Sequence, residues 1–207
     1  DLRRKKQSGF THSELLGLSV TADCEFTGLP AVGWDDEGHR ISAEIEAKLA
    51  VVKAANNRLK HEIGNQDYAL DFGDFGTEGE SSYIAVVHTD GNGIGKRFQE
   101  LSELGLENRN YIKAVRALSQ SVNKAAQEAL RETVDAVRSL PLVDGKLAGV
   151  IPVRDGKLPF RPIVFGGDDI TFVCDGRLGL TATARYLEAF ANQTLDMPSG
   201  KEHPTAR

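Results

Sequence analysis

An α+β fold is predicted by three observations. Residues 83–87 (YIAVV) form a continuous apolar, β-branched run, the pattern of a buried strand. Two more such runs, Ile163-Val164-Phe165 and Ile170-Thr171-Phe172-Val173, flank a tight Gly166-Gly167-Asp168-Asp169 turn. Segments of helical period separate and follow these runs. From residue 83 the order is strand, helix, strand, turn, strand, helix. That βαββα order is one strand short of the βαββαβ ferredoxin-like unit, and the last strand is expected just after Arg207. Residues 1–70 are expected to form an N-terminal knuckle and helical extension, and residues 83–207 the second domain.

Each element has its own signal. Residues 1–40 are irregular, with a turn-rich knuckle at Cys24-Glu25-Phe26-Thr27-Gly28-Leu29-Pro30-Ala31. A helix is expected over 41–63, with Ser42 as N-cap and Ile45, Leu49, Val52, Leu59 and Ile63 as its apolar stripe. Gly64-Asn65 stops it. Residues 71–82 (DFGDFGTEGESS) are acidic and Gly-rich, the composition of a linker. After the strand at 83–87 comes the turn Gly91-Asn92-Gly93-Ile94-Gly95, then a helix over 96–104. A longer helix over 110–139 places Ile112, Val115, Leu118, Val122, Ala126, Ala129 and Val137 on one face, and Pro141 ends it. Two Asp-Gly-Lys turns, at 144–146 and 155–157, carry hairpin chemistry. A final helix is expected over 177–193.

Composition narrows the class. The chain has 207 residues, 40% hydrophobic and 27% charged, the balance of a chain able to build a packed core. A net charge of -5 argues against a strongly basic nucleic-acid binder. No apolar run reaches the ~20 residues of a membrane span. The basic start, Asp1-Leu2-Arg3-Arg4-Lys5-Lys6, has no apolar stretch behind it and does not read as a signal peptide. Two cysteines, Cys24 and Cys174, make neither a disulfide framework nor a four-thiolate zinc site. A cytoplasmic, reduced setting is expected. The chain starts at Asp1 and its only methionine is Met197, so it reads as a piece of a longer protein.

The chemistry gathers at two turns. Asp90 ends the first strand, and Asp168 and Asp169 sit in the hairpin turn. If their strands are sheet neighbours, three carboxylates meet at one sheet end. Such a cluster repels itself until a hard divalent cation joins it, and oxygen ligands suit Mg²⁺ or Mn²⁺. Two such ions ~3.5–4 Å apart are the apparatus of phosphoryl and nucleotidyl transfer. In that arrangement Asp90 and Asp168 bridge the ions and Asp169 ligates or orients one. Gly166 and Gly167 leave room for a flat ligand. Gly91, Asn92, Gly93 and Gly95 precede a helix whose first N–H groups can hold phosphate oxygens, and Lys96 and Arg97 add charge. Other motifs fail. An EF-hand starting at Asp90 meets Ile94 and Leu101 where oxygen ligands belong, and Gly91 to Lys96 has neither Walker A nor dinucleotide-binding spacing. The five histidines are scattered, and His88 reads as a packed or hydrogen-bonded strand-end residue. Cys174 reads as a buried apolar residue.

These residues resemble a known family. Tyr83-Ile-Ala-Val-Val-His-Thr-Asp90-Gly-Asn-Gly-Ile-Gly-Lys96, followed by Phe165-Gly-Gly-Asp-Asp169-Ile-Thr-Phe, looks like the second palm domain of the large subunit of type III CRISPR effector complexes. Cys24-Glu-Phe-Thr-Gly-Leu-Pro-Ala31 is similar to the zinc knuckle before that palm. The resemblance spans about residues 20–195. It implies a palm that converts ATP, with Mg²⁺ or Mn²⁺, into cyclic oligoadenylate messengers for antiviral defence. It also implies that Asp90, Asp168 and Asp169 are the metal-binding carboxylates. The sequence departs from the family at Asn92, where Asp is usual, and at Thr27, where the second cysteine is expected; no zinc is expected there. A lone palm needs a second copy to supply the other nucleotide, so a homodimer is expected, or else other effector-complex subunits with guide and target RNA. Two alternatives stand beside this: a diguanylate cyclase of the GGDEF type, and a non-catalytic palm that serves as scaffold in an RNA-guided complex. Asp169 in place of Glu argues against the former.

Overall fold

The computed structural model describes residues 21–76, 83–196 and 202–204. The chain divides into two compact units, Asp1–Arg58 and Leu59–Arg207. The fold is mixed α+β with antiparallel sheets.

In the first unit, β1 (Ala31–Trp34) and β2 (Arg40–Ser42) form an antiparallel hairpin. The knuckle folds as a tight turn: the Cys24 N–H donates to the Leu29 carbonyl, and the Gly28 N–H to the Cys24 carbonyl. Cys24 is buried. Helix α1 (Ala43–Ile63) begins in the first unit and ends in the second; it starts where Ser42 was expected to cap it, and the Ile45 N–H donates to Ser42 Oγ at 3.5 Å. The apolar stripe does not behave as its spacing implies. Only Leu59 and Ile63 are buried, whereas Leu49 and Val52 stay 48% and 46% exposed.

The second unit is built on a three-stranded antiparallel sheet of order β3-β8-β7. Its strands are β3 (Ile84–Thr89), β7 (Phe160–Gly166) and β8 (Asp169–Asp175). Alternation sorts the side chains by face. Ala85, Val87 and Thr89 pair with Cys174, Phe172 and Ile170 on the inner face, and those last three are fully buried. Ile84, Val86 and His88 point to the open face. Pro162 lies on edge strand β7 beside a register shift, where a missing N–H does least harm to the ladder.

Helix α2 (Ile94–Glu103) follows β3, then α3 (Asn108–Arg138), and α4 (Gly179–Ala191) follows β8. Leu118, Val122, Ala126, Ala129 and Leu130 of α3 share the core with Phe160, Ile170 and Phe172 of the sheet and with Ala182, Tyr186 and Ala189 of α4. Ile112, expected on that face, is 49% exposed; Ala114, two residues on and about 200° round the helix, is buried instead. Short strands β4 (Leu142–Val143), β5 (Lys146–Leu147) and β6 (Ile151–Pro152) form a small sheet. Both Asp-Gly turns carry the paired positive φ angles of type I′ turns: 50° and 73° at Asp144-Gly145, 51° and 71° at Asp155-Gly156.

Two features differ from expectation. The first half of the expected linker, 71–76, is packed rather than free. Asp71 and Asp74 cap a 3₁₀ turn (Phe72–Asp74), and Phe75 is buried with Ala69 against Val173. The strap is tied down by Lys157 on Asp74 and by the Gly76 N–H on Asp175. Residues 77–82 lie outside the described residues. The segment after the last helix also differs: β9 (Thr194–Asp196) pairs with β10 (Glu202–Pro204), and neither joins the three-stranded sheet, whose fourth expected strand is not among the described residues. Among the described residues, no helix is long and apolar enough to cross a membrane.

Candidate metal centre

Strand pairing brings the two motifs together. Thr89 pairs with Ile170 and His88 with Thr171, so Asp90 leaves β3 beside the start of β8. Gly166 pairs with Asp169, which leaves Gly167-Asp168 as a two-residue hairpin loop. Gly167 takes φ +67°, the value that the first central position of a II′ turn requires. One carboxylate oxygen from each of Asp90, Asp168 and Asp169 lies within 4.8 Å of the others. Asp90 and Asp169 are exposed and Asp168 is half-buried.

The β3–α2 turn presses on the hairpin. A Cβ on Gly91 would stand 2.6 Å from Asp168 Cβ and 3.1 Å from Asp168 Oδ2. Backbone therefore touches the carboxylate where any other residue would push it away. Gly93, at φ +76°, caps α2, and Gly95 and Lys96 occupy its first turn, where N–H groups lack intrahelical acceptors. Asn92 and Lys96 are exposed. Gly166 ends β7 beside Asp169. All the residues picked out by the sequence thus lie at this end of the sheet.

Three neighbours escaped the sequence reading. Asn123 Oδ1 on α3 accepts the Gly167 N–H at 3.4 Å and steadies the hairpin loop. Thr89 and Tyr186 bring buried hydroxyls near one another, and neither makes a well-formed hydrogen bond. Burial drives the Tyr186 phenol well above its ordinary pKa; the Thr89 hydroxyl opposes this and the Asp168 charge adds to it. A polar-tipped aromatic inside the apolar stripe of α4 was the available signal. His88 behaves as expected, with Nδ1 2.9 Å from Thr171 Oγ1 across the strands on the open face.

The electrostatics show a frustrated cluster. A hydrogen bond with Asp90, partial burial, and the charges of Asp90 and Asp168 hold the Asp169 carboxyl above its usual range, against the pull of His88. Three hard oxygen donors within 4.8 Å of one another, beside two orphaned hydroxyls, fit a divalent cation of the Mg²⁺ or Mn²⁺ type. In the first unit, burial opposes thiolate formation at Cys24, but the Thr27 hydroxyl and the Phe26, Thr27 and Ser42 N–H groups bring its pKa down to about 7. Burial pushes Cys174 up to about 12, with the Asp175 charge assisting.

No protein-family model matches the chain, and no curated protein matches it.

Proposed function

We propose that the second unit is a ferredoxin-like palm acting as a nucleotidyltransferase or nucleotide cyclase. In this reading it makes cyclic oligoadenylates from ATP for CRISPR-type antiviral signalling in the cytoplasm. The observation that carries the reading is the convergence of Asp90, Asp168 and Asp169 within 4.8 Å at one sheet end. The βαββα order, with a glycine-rich turn opening a helix beside that cluster, supports it.

Asp90, Asp168 and Asp169 would hold the divalent ions. Bound there, Mg²⁺ or Mn²⁺ supplies Lewis acidity and charge neutralisation. The chain's own groups do the rest. The first-turn N–H groups of α2 and the Lys96 ammonium face phosphate oxygens. Gly166 and Gly167 leave the hairpin without bulky side chains to obstruct a nucleotide. Gly91 and Asn123 keep the Asp168 loop in place. In the reaction a ribose 3′-oxygen bonds to the α-phosphorus of a second nucleotide. The bond from that phosphorus to pyrophosphate breaks, and the hydroxyl proton passes to solvent water. A second copy of the palm supplies the other nucleotide.

Incubation with each α-labelled nucleoside triphosphate and Mg²⁺ or Mn²⁺ tests this beside an Asp168→Ala, Asp169→Ala variant. Metal-dependent adenylate products, lost in the variant, are expected. A cyclic guanylate would move the chain to the diguanylate cyclases. Metal binding without turnover, even with RNA added, would make it a scaffold palm.

A further inference from the structure

The first unit holds a groove that this chemistry leaves unused. It lies between the β1–β2 hairpin and the first half of α1, with a volume of about 560 Å³. That is within the ~300–1,000 Å³ of ligand-sized sites. Its floor is Ile41, and Leu49 and Val52 of α1 line it half-exposed. The Trp34 indole at the end of β1 is 68% exposed. An indole and two aliphatic side chains gathered in water on one concave face mark an interaction surface.

The rim is acidic. Four of the nine lining residues are carboxylates and none is Lys or Arg. Asp35 is engaged: it accepts the Glu37 and His39 N–H groups at 3.0 and 2.8 Å and meets His39 Nδ1 at 3.1 Å. Glu37 is 3.8 Å from the same ring nitrogen. Asp36 and Glu46 have no cationic partner among the described residues. The Glu46 carboxylate lies against the hairpin, 4.0 Å from where a Cβ on Gly33 would stand.

We propose that this groove binds a basic amphipathic segment of a partner protein, one in which Lys or Arg alternates with aliphatic side chains. Aliphatic groups fit Leu49, Val52 and Ile41, and the stems of Lys and Arg lie along the same apolar surface. Cationic heads neutralise Asp36 and Glu46, and the exposed indole face accepts a cation. The same rim repels a polyanion. A neutral apolar ligand would desolvate the carboxylates without compensation. The groove shares no lining residue with the carboxylate cluster of the second unit.

Trp34 is the only tryptophan, so its fluorescence reports this groove directly. The probe is an acetylated, amidated octapeptide of alternating Lys and Leu, titrated into the full chain, with a Glu-Leu octapeptide as control. We expect a saturable blue shift with the basic peptide, weaker at high salt, and none with the acidic one. Asp36→Lys with Glu46→Lys should weaken binding by about tenfold or more. Glu100→Lys with Glu103→Lys, an equal charge change on α2, should not. The proposal is overturned if there is no saturable shift, or if both peptides act alike. It is equally overturned if the two double variants weaken binding equally, which would mean general charge attraction. A blue shift that grows with protein concentration before peptide is added would replace the partner with a second copy.

Discussion

At the residue scale, the site depends on a close approach that a single methyl group would break. Gly91→Ala puts a Cβ 2.6 Å from Asp168 Cβ. Overpacking of this kind costs about 1–3 kcal/mol. Displacing a reacting group by ~1 Å costs on the order of 100-fold in rate. Nucleotide turnover by Gly91→Ala should therefore fall far more than its thermal stability. Equal, small effects on both would remove the steric argument. Asp169 makes a prediction about pH. Its hydrogen bond with Asp90, its partial burial and two neighbouring carboxylates raise its pKa, so it keeps a proton above the ordinary value of ~4. A cation must displace that proton. Divalent-ion affinity should therefore rise as pH climbs from ~4 through the raised pKa and then level off. In the absence of a cation, fold stability should fall over the same window, because ionised Asp169 faces two other carboxylates. Calorimetry in buffers of different ionisation enthalpy counts the proton released; affinity independent of pH would contradict the cluster. Asp90, Asp168 and Asp169 were legible in the sequence because each ends or turns an apolar strand. Asn123 and Thr89 were not, since a polar residue beside an apolar stripe carries no signal of what it meets.

Elements were legible where periodicity was strong and local. The strands around the Gly-Gly-Asp-Asp turn and the long helix α3 lie within a few residues of their expected limits. What the pattern could not give is which apolar face finds a partner. Leu49 and Val52 keep perfect helical spacing and stay half in water, because nothing among the described residues of the first unit covers them. The strap at 71–76 looked like a linker because Gly and Asp dominate it. Its order comes from Phe75 and from ionic ties to residues far along the chain, which no local window contains. The buried Asp175 is such a tie. Burial opposes its ionisation, yet Arg177's side-chain and backbone hydrogen bonds and charge, with the Gly76 N–H, hold its pKa below the usual range. Packing of α3 on the sheet makes a prediction at this scale. Leu118 is fully buried, so Leu118→Ala should cost about 2–5 kcal/mol. Val86, on the open sheet face at 64% exposure, should tolerate Val86→Thr within ~0.5 kcal/mol. Urea denaturation of both variants checks the assignment of the two faces, and comparable losses would contradict it.

For the whole molecule, the two units divide the chemistry. The second carries a frustrated carboxylate cluster at the end of a half-open sheet. The first carries an acidic, aromatic groove with no part in that cluster. The proposed chemistry rests on the three carboxylates being a cation site rather than a solvated turn. Titration of Mn²⁺ followed by electron paramagnetic resonance, with and without ATP, measures that directly in the wild-type chain and in Asp168→Ala, Asp169→Ala. The free Mn²⁺ signal should fall in the wild type, fall further when ATP is present, and stay at the level of ATP alone in the variant. A folded wild-type chain that leaves the signal unchanged, or a variant that quenches it equally, would contradict the metal centre and the nucleotide chemistry built on it.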